Sequence, residues 1–145
     1  METVKKEAEL ILNNYSTNSC ACVYNFRLPN VFGKLCKPNY NSVVATFCYN
    51  IGKSLPVKVN DPDAVINLVS VDYVTSCFIE ILEKHSSKDS IECLFKVIYC
   101  DGVTKIRLST LVEILNKIRN KEELSGFSFS NEFKSALEDC YFSYL

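Results

Sequence analysis

Glycine is scarce in this chain. It holds four, at positions 33, 52, 102 and 126, and no two are spaced for the G-x-G-x-x-G turn that cradles a dinucleotide pyrophosphate. Histidine is scarcer still: His85 stands alone, in a polar stretch that reads as a loop. No two cysteines form a C-x-x-C pair, so zinc or iron–sulfur ligation is not expected and no metal site is assigned. No apolar run reaches membrane-spanning length, because Lys, Glu or Asn interrupts each one. The opening METVKKEAEL is charged and has no apolar export core, so a cytoplasmic location is expected, with no membrane partner. Charge of one sign is missing too. The net charge is -1 and acids and bases are mixed along the chain, which argues against a nucleic-acid surface built of clustered Lys and Arg.

Cysteine itself is plentiful: Cys20, Cys22, Cys36, Cys48, Cys77, Cys93, Cys100 and Cys140. Most sit among Val, Ile and Phe, and without an export signal they read as reduced, buried, small hydrophobes rather than a disulfide framework. The 145 residues are 48% hydrophobic, enough for one folded domain with a modest core.

Periodicity places a helix over residues 1–16, with Val4, Ala8, Ile11 and Tyr15 on one face. Residues 20–28, CACVYNFRL, are short and rich in β-formers, as in a buried strand of a parallel sheet. PNVFGK reads as loop, punctuated by Pro29 and Gly33. Asn41 or Ser42 caps a helix that turns Val44, Phe47, Cys48 and Ile51 inward and closes at Gly52. The alternation in LPVKVN gives a second strand at residues 57–60, followed by a DPD turn. INLVSVDYV is an extended piece running into a helix with the stripe Val71, Val74, Phe78 and Ile81, ended by KHSSKDS. CLFKVIYC is a third strand. Thr110 and Glu113 have capping-box spacing ahead of Leu111, Leu115 and Ile118, and RNKEELSG is a polar connector. A final helix over residues 131–145 carries Phe133, Leu137, Tyr141 and Tyr144 along one side. Strands alternating with helices give an α/β fold.

The stretch RLPNVFGKLCKPNYNSVVATFCYNI, Arg27 to Ile51, closely resembles the extended short-chain dehydrogenase/reductase (NAD-dependent epimerase/dehydratase) superfamily. More narrowly, it resembles the bacterial capsular-polysaccharide reductases that act on UDP-2-acetamido-2,6-dideoxy-hexos-4-uloses. VNDPDAVINLVSVDYV resembles the next block of that family, and LEDCYFSYL resembles the point where those enzymes pass into a metal-binding cupin domain. The resemblance implies an incomplete Rossmann-like α/β domain with a helical C-terminal end. Residues 1–145 would be the substrate-side half of the reductase domain, without the nucleotide-binding half and without the cupin.

Carried over by position, the family's Tyr-x-x-x-Lys pair puts its Lys at Lys5 and its Tyr at Met1, whose thioether cannot donate a proton. Lys5, Pro29 and Val31 would face the cofactor; Asn30, Lys34, Lys37, Tyr40 and Asn41 would face the UDP-sugar. Two positions depart from the family at the later helix start, where Ser70 replaces a Tyr and Tyr73 an Asp. The family uses NADP(H), and none is expected to bind this chain alone. The implied role is part of an NADPH-dependent reductase acting at C4 of a UDP-4-keto-6-deoxy-hexosamine, inactive by itself. One half of a split enzyme, or a non-catalytic binding module on the same fold, are the alternatives. The expected partners are a UDP-sugar and either a second copy or a chain carrying the N-terminal half. The uncovered surfaces would be residues 20–28 and the Val4, Ala8 and Ile11 face. On the residues alone, Lys5 is equally a solvated charge, Arg27 a rim ion pair, Asn30 and Gly33 turn formers, and Asp61 and Asp63 turn residues rather than metal ligands.

Overall fold

The computed structural model describes residues 2–86 and 94–145. In chain order the elements are α1 (Glu2–Ser19), β1 (Val23–Arg27), β2 (Asn30–Phe32), α2 (Val43–Gly52), β3 (Val65–Ser70), α3 (Val71–Ser86), β4 (Phe95–Tyr99), β5 (Thr104–Arg107), α4 (Leu108–Asn120) and α5 (Asn131–Phe142). They fall into two compact units, Met1–Leu28 with Ser76–Asp101, and Pro29–Thr75 with Gly102–Leu145.

In the first unit β1 and β4 pair in parallel, Val23 opposite Phe95 and Arg27 opposite Tyr99. Two hydroxyls fasten the end of α1 and the turn that follows it. Ser19 Oγ donates to Tyr15 O at 2.6 Å, and Ser16 Oγ to Ala21 O at 2.7 Å. Cys20 then takes a left-handed φ of 53° and turns the chain into β1. Phe26 meets Phe78 edge-on, ring centroids 4.4 Å apart. The Val4 and Ile11 side chains remain 67% exposed and Tyr15 57%, and Ala8 is exposed as well, so the helix face expected to be uncovered is uncovered. The strand is not: Val23 to Phe26 are half-buried.

The second unit holds the core. Its sheet has the order β2-β3-β5, β2 parallel and β5 antiparallel to β3. Leu111, Ile114, Leu115 and Ile118 of α4, Phe133, Leu137 and Tyr141 of α5, and Val44, Phe47 and Ile51 of α2 bury one cluster with Phe32, Leu68 and Ile106 of the sheet. The cap of α2 is as read: Ser42 Oγ accepts from Ala45 N at 3.2 Å. Gly52 is the last residue of that helix rather than a left-handed stop, and Lys53 (φ -92°) caps it.

Several expectations are corrected. Asn30–Phe32, read as loop, is a strand, because Val31 and Phe32 find a ladder on Val69 and Ser70. Gly33 follows it because nothing larger fits: a Cβ there would lie 2.4 Å from Val71 Cγ1. Residues 57–60 form no strand. Both edges of β3 are already taken by β2 and β5, so the alternation only sets Val57 and Val59 against the core. Thr104–Arg107 is a strand that carries no sequence signal, and α4 starts from it at Leu108, before the Thr110–Glu113 pair. Its first amides are satisfied by the preceding turn instead, Leu108 N donating to Ala64 O and Ser109 N to Pro62 O, both at 3.0 Å. Asp61 closes that turn by accepting from Asp63 N. The backbone at His85 belongs to α3, not to a loop. Of the α3 stripe only Val74 is fully buried; Val71 and Phe78 are about two-fifths exposed. Buried cysteines prove few: Cys48 and Cys140. Cys22, Cys36, Cys77 and Cys100 are half-buried, Cys20 is exposed, and Cys93 lies outside the described residues.

Candidate functional site

Lys5 lines a cleft of about 540 Å³ in the first unit, with Lys6, Ala8, Glu9 and Leu12 from α1 and Asn25 to Leu28 from β1 and its end. Lys5 and Glu9 are one helical turn apart, so they share a face. Arg27 reaches Glu9 with both arms of its fork, Nε to Oε1 at 2.8 Å and Nη2 to Oε2 at 2.6 Å, and gives Nη1 to Tyr99 OH at 2.7 Å. The guanidinium holds the Glu9 carboxyl below its usual range, and Glu9 raises the Arg27 pKa in return. Arg27 is therefore an ion-pairing strut between α1 and the two-stranded sheet. Met1, the position matched to the family's Tyr, lies outside the described residues.

Pro29, Asn30, Val31 and Asn41 come together in the second unit. With Phe32, Ser42, Val43, Val44 and Leu68 they line a pocket of about 240 Å³. It runs along β2, from Pro29 before the strand to Phe32 at its end, and is closed by the start of α2 and by Leu68 of β3. Asn30 is anchored by its own side chain, Nδ2 donating to Asn67 O at 3.2 Å.

Lys34, Lys37 and Tyr40 do not line that pocket. They stand exposed on the loop after β2. Lys34 pairs with Asp139 Oδ2 at 2.9 Å, which raises its pKa, and Lys37 Nζ lies 5.4 Å from the Tyr40 ring centroid. At the later helix start, Ser70 Oγ accepts from Tyr73 N at 3.2 Å and so caps α3, while the Tyr73 ring lies where a Cβ on Gly102 would be, 2.7 Å from it. These two departures from the family pattern have structural roles here.

Sequence reasoning passed over Glu9 and Asp139. The spacing of Glu9 from Lys5 was a usable signal, whereas nothing local points to Asp139. Among the described residues no three His, Cys, Asp or Glu side chains are grouped to hold a metal ion, and no helix is long and apolar enough to cross a membrane.

No family model matches the chain. It is 36% identical over 143 residues to the UDP-2-acetamido-2,6-beta-L-arabino-hexul-4-ose reductase of Pseudomonas aeruginosa, a match covering 97% of this chain and 37% of that protein. The crystal structure of the capsular polysaccharide assembling protein CapF from Staphylococcus aureus superposes with a TM-score of 0.78 at 36% identity, over 97% of this chain and 38% of that one. The chain belongs to the extended short-chain dehydrogenase/reductase superfamily. Within it, a UDP-N-acetylglucosamine 4-epimerase from Methanobrevibacter ruminantium, solved with UDP-N-acetylmuramic acid, shares the fold at 19% identity, with a TM-score of 0.75 over 97% of this chain and 51% of that one. The chain spans a little over a third of the length of the curated reductase it matches. Its fold is a partial Rossmann-like α/β domain, about half of the superfamily's epimerase structures.

Proposed function

We propose that this chain is the substrate-side part of a nucleotide-sugar reductase, binding a UDP-linked 4-keto-6-deoxy-hexosamine in surface-polysaccharide synthesis. The observation that carries the reading is the continuity of the match. The alignment to a UDP-sugar ketone reductase, 36% identical, covers 97% of this chain. The segment that prompted the resemblance also builds the pocket of Pro29, Asn30, Val31 and Asn41. In this reading Asn30 and Asn41 supply amide contacts to the sugar. Lys34, Lys37 and Tyr40 face the diphosphate.

The family's cofactor, NADP(H), fits these residues only in part. Lys5 would meet its ribose, and Pro29 and Val31 its nicotinamide. The 145 residues include no glycine turn for the pyrophosphate, and the proton-donor position falls on a methionine. The set does not make a cofactor site, so no hydride or proton step is assigned to it. The proposed activity of this chain is binding, with turnover requiring groups from outside these residues.

Calorimetry with UDP tests the reading. Lys34→Ala and Lys37→Ala should each weaken UDP by about tenfold. Lys53→Ala and Lys58→Ala should leave it within about twofold, because a specific diphosphate site and a diffuse attraction differ in this respect. Equal losses at all four lysines, or no UDP binding at all, would overturn it. In a parallel fluorescence titration NADPH alone should not bind with micromolar affinity or better.

A further inference from the structure

Four consecutive residues after β2 are each held by the C-terminal end of α5, more than a hundred positions away in sequence. Cys140 Sγ donates to Gly33 O at 3.2 Å. Asp139 pairs with the Lys34 ammonium at 2.9 Å. Ser143 Oγ accepts from Leu35 N at 3.2 Å and itself donates to Cys140 O at 2.7 Å. Tyr144 OH donates to Cys36 O. The Tyr144 ring in turn stands edge-on to Tyr49 of α2, centroids 6.3 Å apart, so the donor is itself fixed.

The loop so held would not keep its shape unaided. Leu35 has a φ of 59° and Asn39 a φ of 56°. Asn tolerates the left-handed region, but a leucine there is strained, and its side chain is 81% exposed and so offers little packing in return. Such strain persists where surrounding contacts over-determine the backbone, and it concentrates at ligand clamps. The far end of the loop is pinned as well, by Asn39 N donating to Thr46 Oγ1 at 2.9 Å.

We propose that the end of α5, through Cys140, Ser143 and Tyr144, is a positioning clasp that fixes the strained Gly33-to-Cys36 backbone, so that Lys34 and Lys37 are presented to a nucleoside diphosphate. The ligand half of this proposal rests on the reading given above; the clasp itself does not. Ser143, Tyr144 and Cys140 are positioning residues, acting through the loop.

Hydrogen exchange on the whole chain, read together with UDP affinity, tests both halves. In the double variant Ser143→Ala, Tyr144→Phe, the amides of Leu35, Cys36 and Lys37 should exchange at least about tenfold faster, while those of Leu68 and Val69 in β3 keep their wild-type rates. UDP should bind several-fold more weakly. Ser143→Thr, which keeps the hydroxyl, should behave as wild type in both measurements. Unchanged loop exchange in the double variant would overturn the clasp, as would faster exchange spread equally over β3, the mark of a merely structural role. If the wild-type chain does not bind UDP, the nucleotide reading fails, and the exchange rates still decide whether the clasp exists.

Discussion

The two units are built from similarly apolar sequence but bury it very differently. Among the described residues every fully buried hydrophobic side chain, from Phe32 to Tyr141, lies in Pro29–Thr75 or Gly102–Leu145. Among its described residues the first unit fully buries only Ser16. The reason is the number of layers. The second unit stacks α2, α4 and α5 on a three-stranded sheet, so its helices can turn an apolar stripe onto neighbours on several sides. The first unit has a two-stranded sheet, which is marginal in water without further packing. Its helix α1 leaves Val4, Ile11 and Tyr15 in solvent. Apolar periodicity therefore forms a helix in both units, but makes a core only where a second and third surface exist to receive it.

The contrast should be plainest in core truncations. Leu115→Ala, at a fully buried position, should lower stability by about 2–5 kcal/mol, whereas Ile11→Ala on α1, measured at a dilution that keeps the chain monomeric, should stay within about 0.5 kcal/mol. Urea unfolding of both variants measures the difference, and equal losses would mean that α1 is packed after all.

Next in size is association. The uncovered α1 face loses roughly 25 cal/mol for every Å² left in water, so several hundred Å² amount to several kcal/mol. At micromolar concentration the chain should dimerise or aggregate through that face, and Val4→Lys combined with Ile11→Lys should return it to a monomer in sedimentation. A wild-type monomer with a single cooperative melt would contradict this.

A smaller effect should separate the units by pH. The Glu9 carboxyl is held below its usual range by Arg27. Its contribution is therefore fully present above the ordinary glutamate pKa of about 4.3, and is lost as pH falls through the depressed folded value. Exchange protection in α1 and β1 should decline below that range in the wild type. In Glu9→Gln it should be weaker at neutral pH and show no such decline.

The smallest change is expected at Asp139. This carboxylate pairs with Lys34 and would compete for it with the proposed diphosphate. Asp139→Asn should tighten UDP by about twofold to fivefold at low salt, shrinking as salt rises, because exposed pairs of this kind are weak and screened.

What could be read from the sequence was mostly what is settled within one turn of chain. The helix α2 was legible at its start and along its buried face, because the cap at Ser42 and the stripe at Val44, Phe47, Cys48 and Ile51 are local facts, though it closes at Lys53 and not by a left-handed Gly52. So were Phe133, Leu137 and Tyr141 along α5, although the helix stops at Phe142 and leaves Tyr144 beyond it. The strands were less so. Asn30–Phe32 has loop composition and becomes a strand only because β3 offers an edge, while residues 57–60 alternate correctly and have no edge to join. Thr104–Arg107 is too short and too polar to stand out. At the site, the grouping of Pro29, Asn30, Val31 and Asn41 followed from their nearness in the chain. The contacts from Cys140, Ser143 and Tyr144 join positions 107 or 108 residues apart, a distance no spacing rule spans.

The central claim is that β2 and the loop after it carry a nucleoside-diphosphate site in the second unit. Titrating UDP into the isotope-labelled chain and following its amide signals tests that most directly. The account predicts shifts concentrated at Asn30, Val31, Lys34, Leu35, Lys37 and Asn41, saturating with one affinity, with the α1 amides unmoved. Shifts scattered over Lys53, Lys58 and Lys105 that vanish with salt, or no shifts at all, would contradict it.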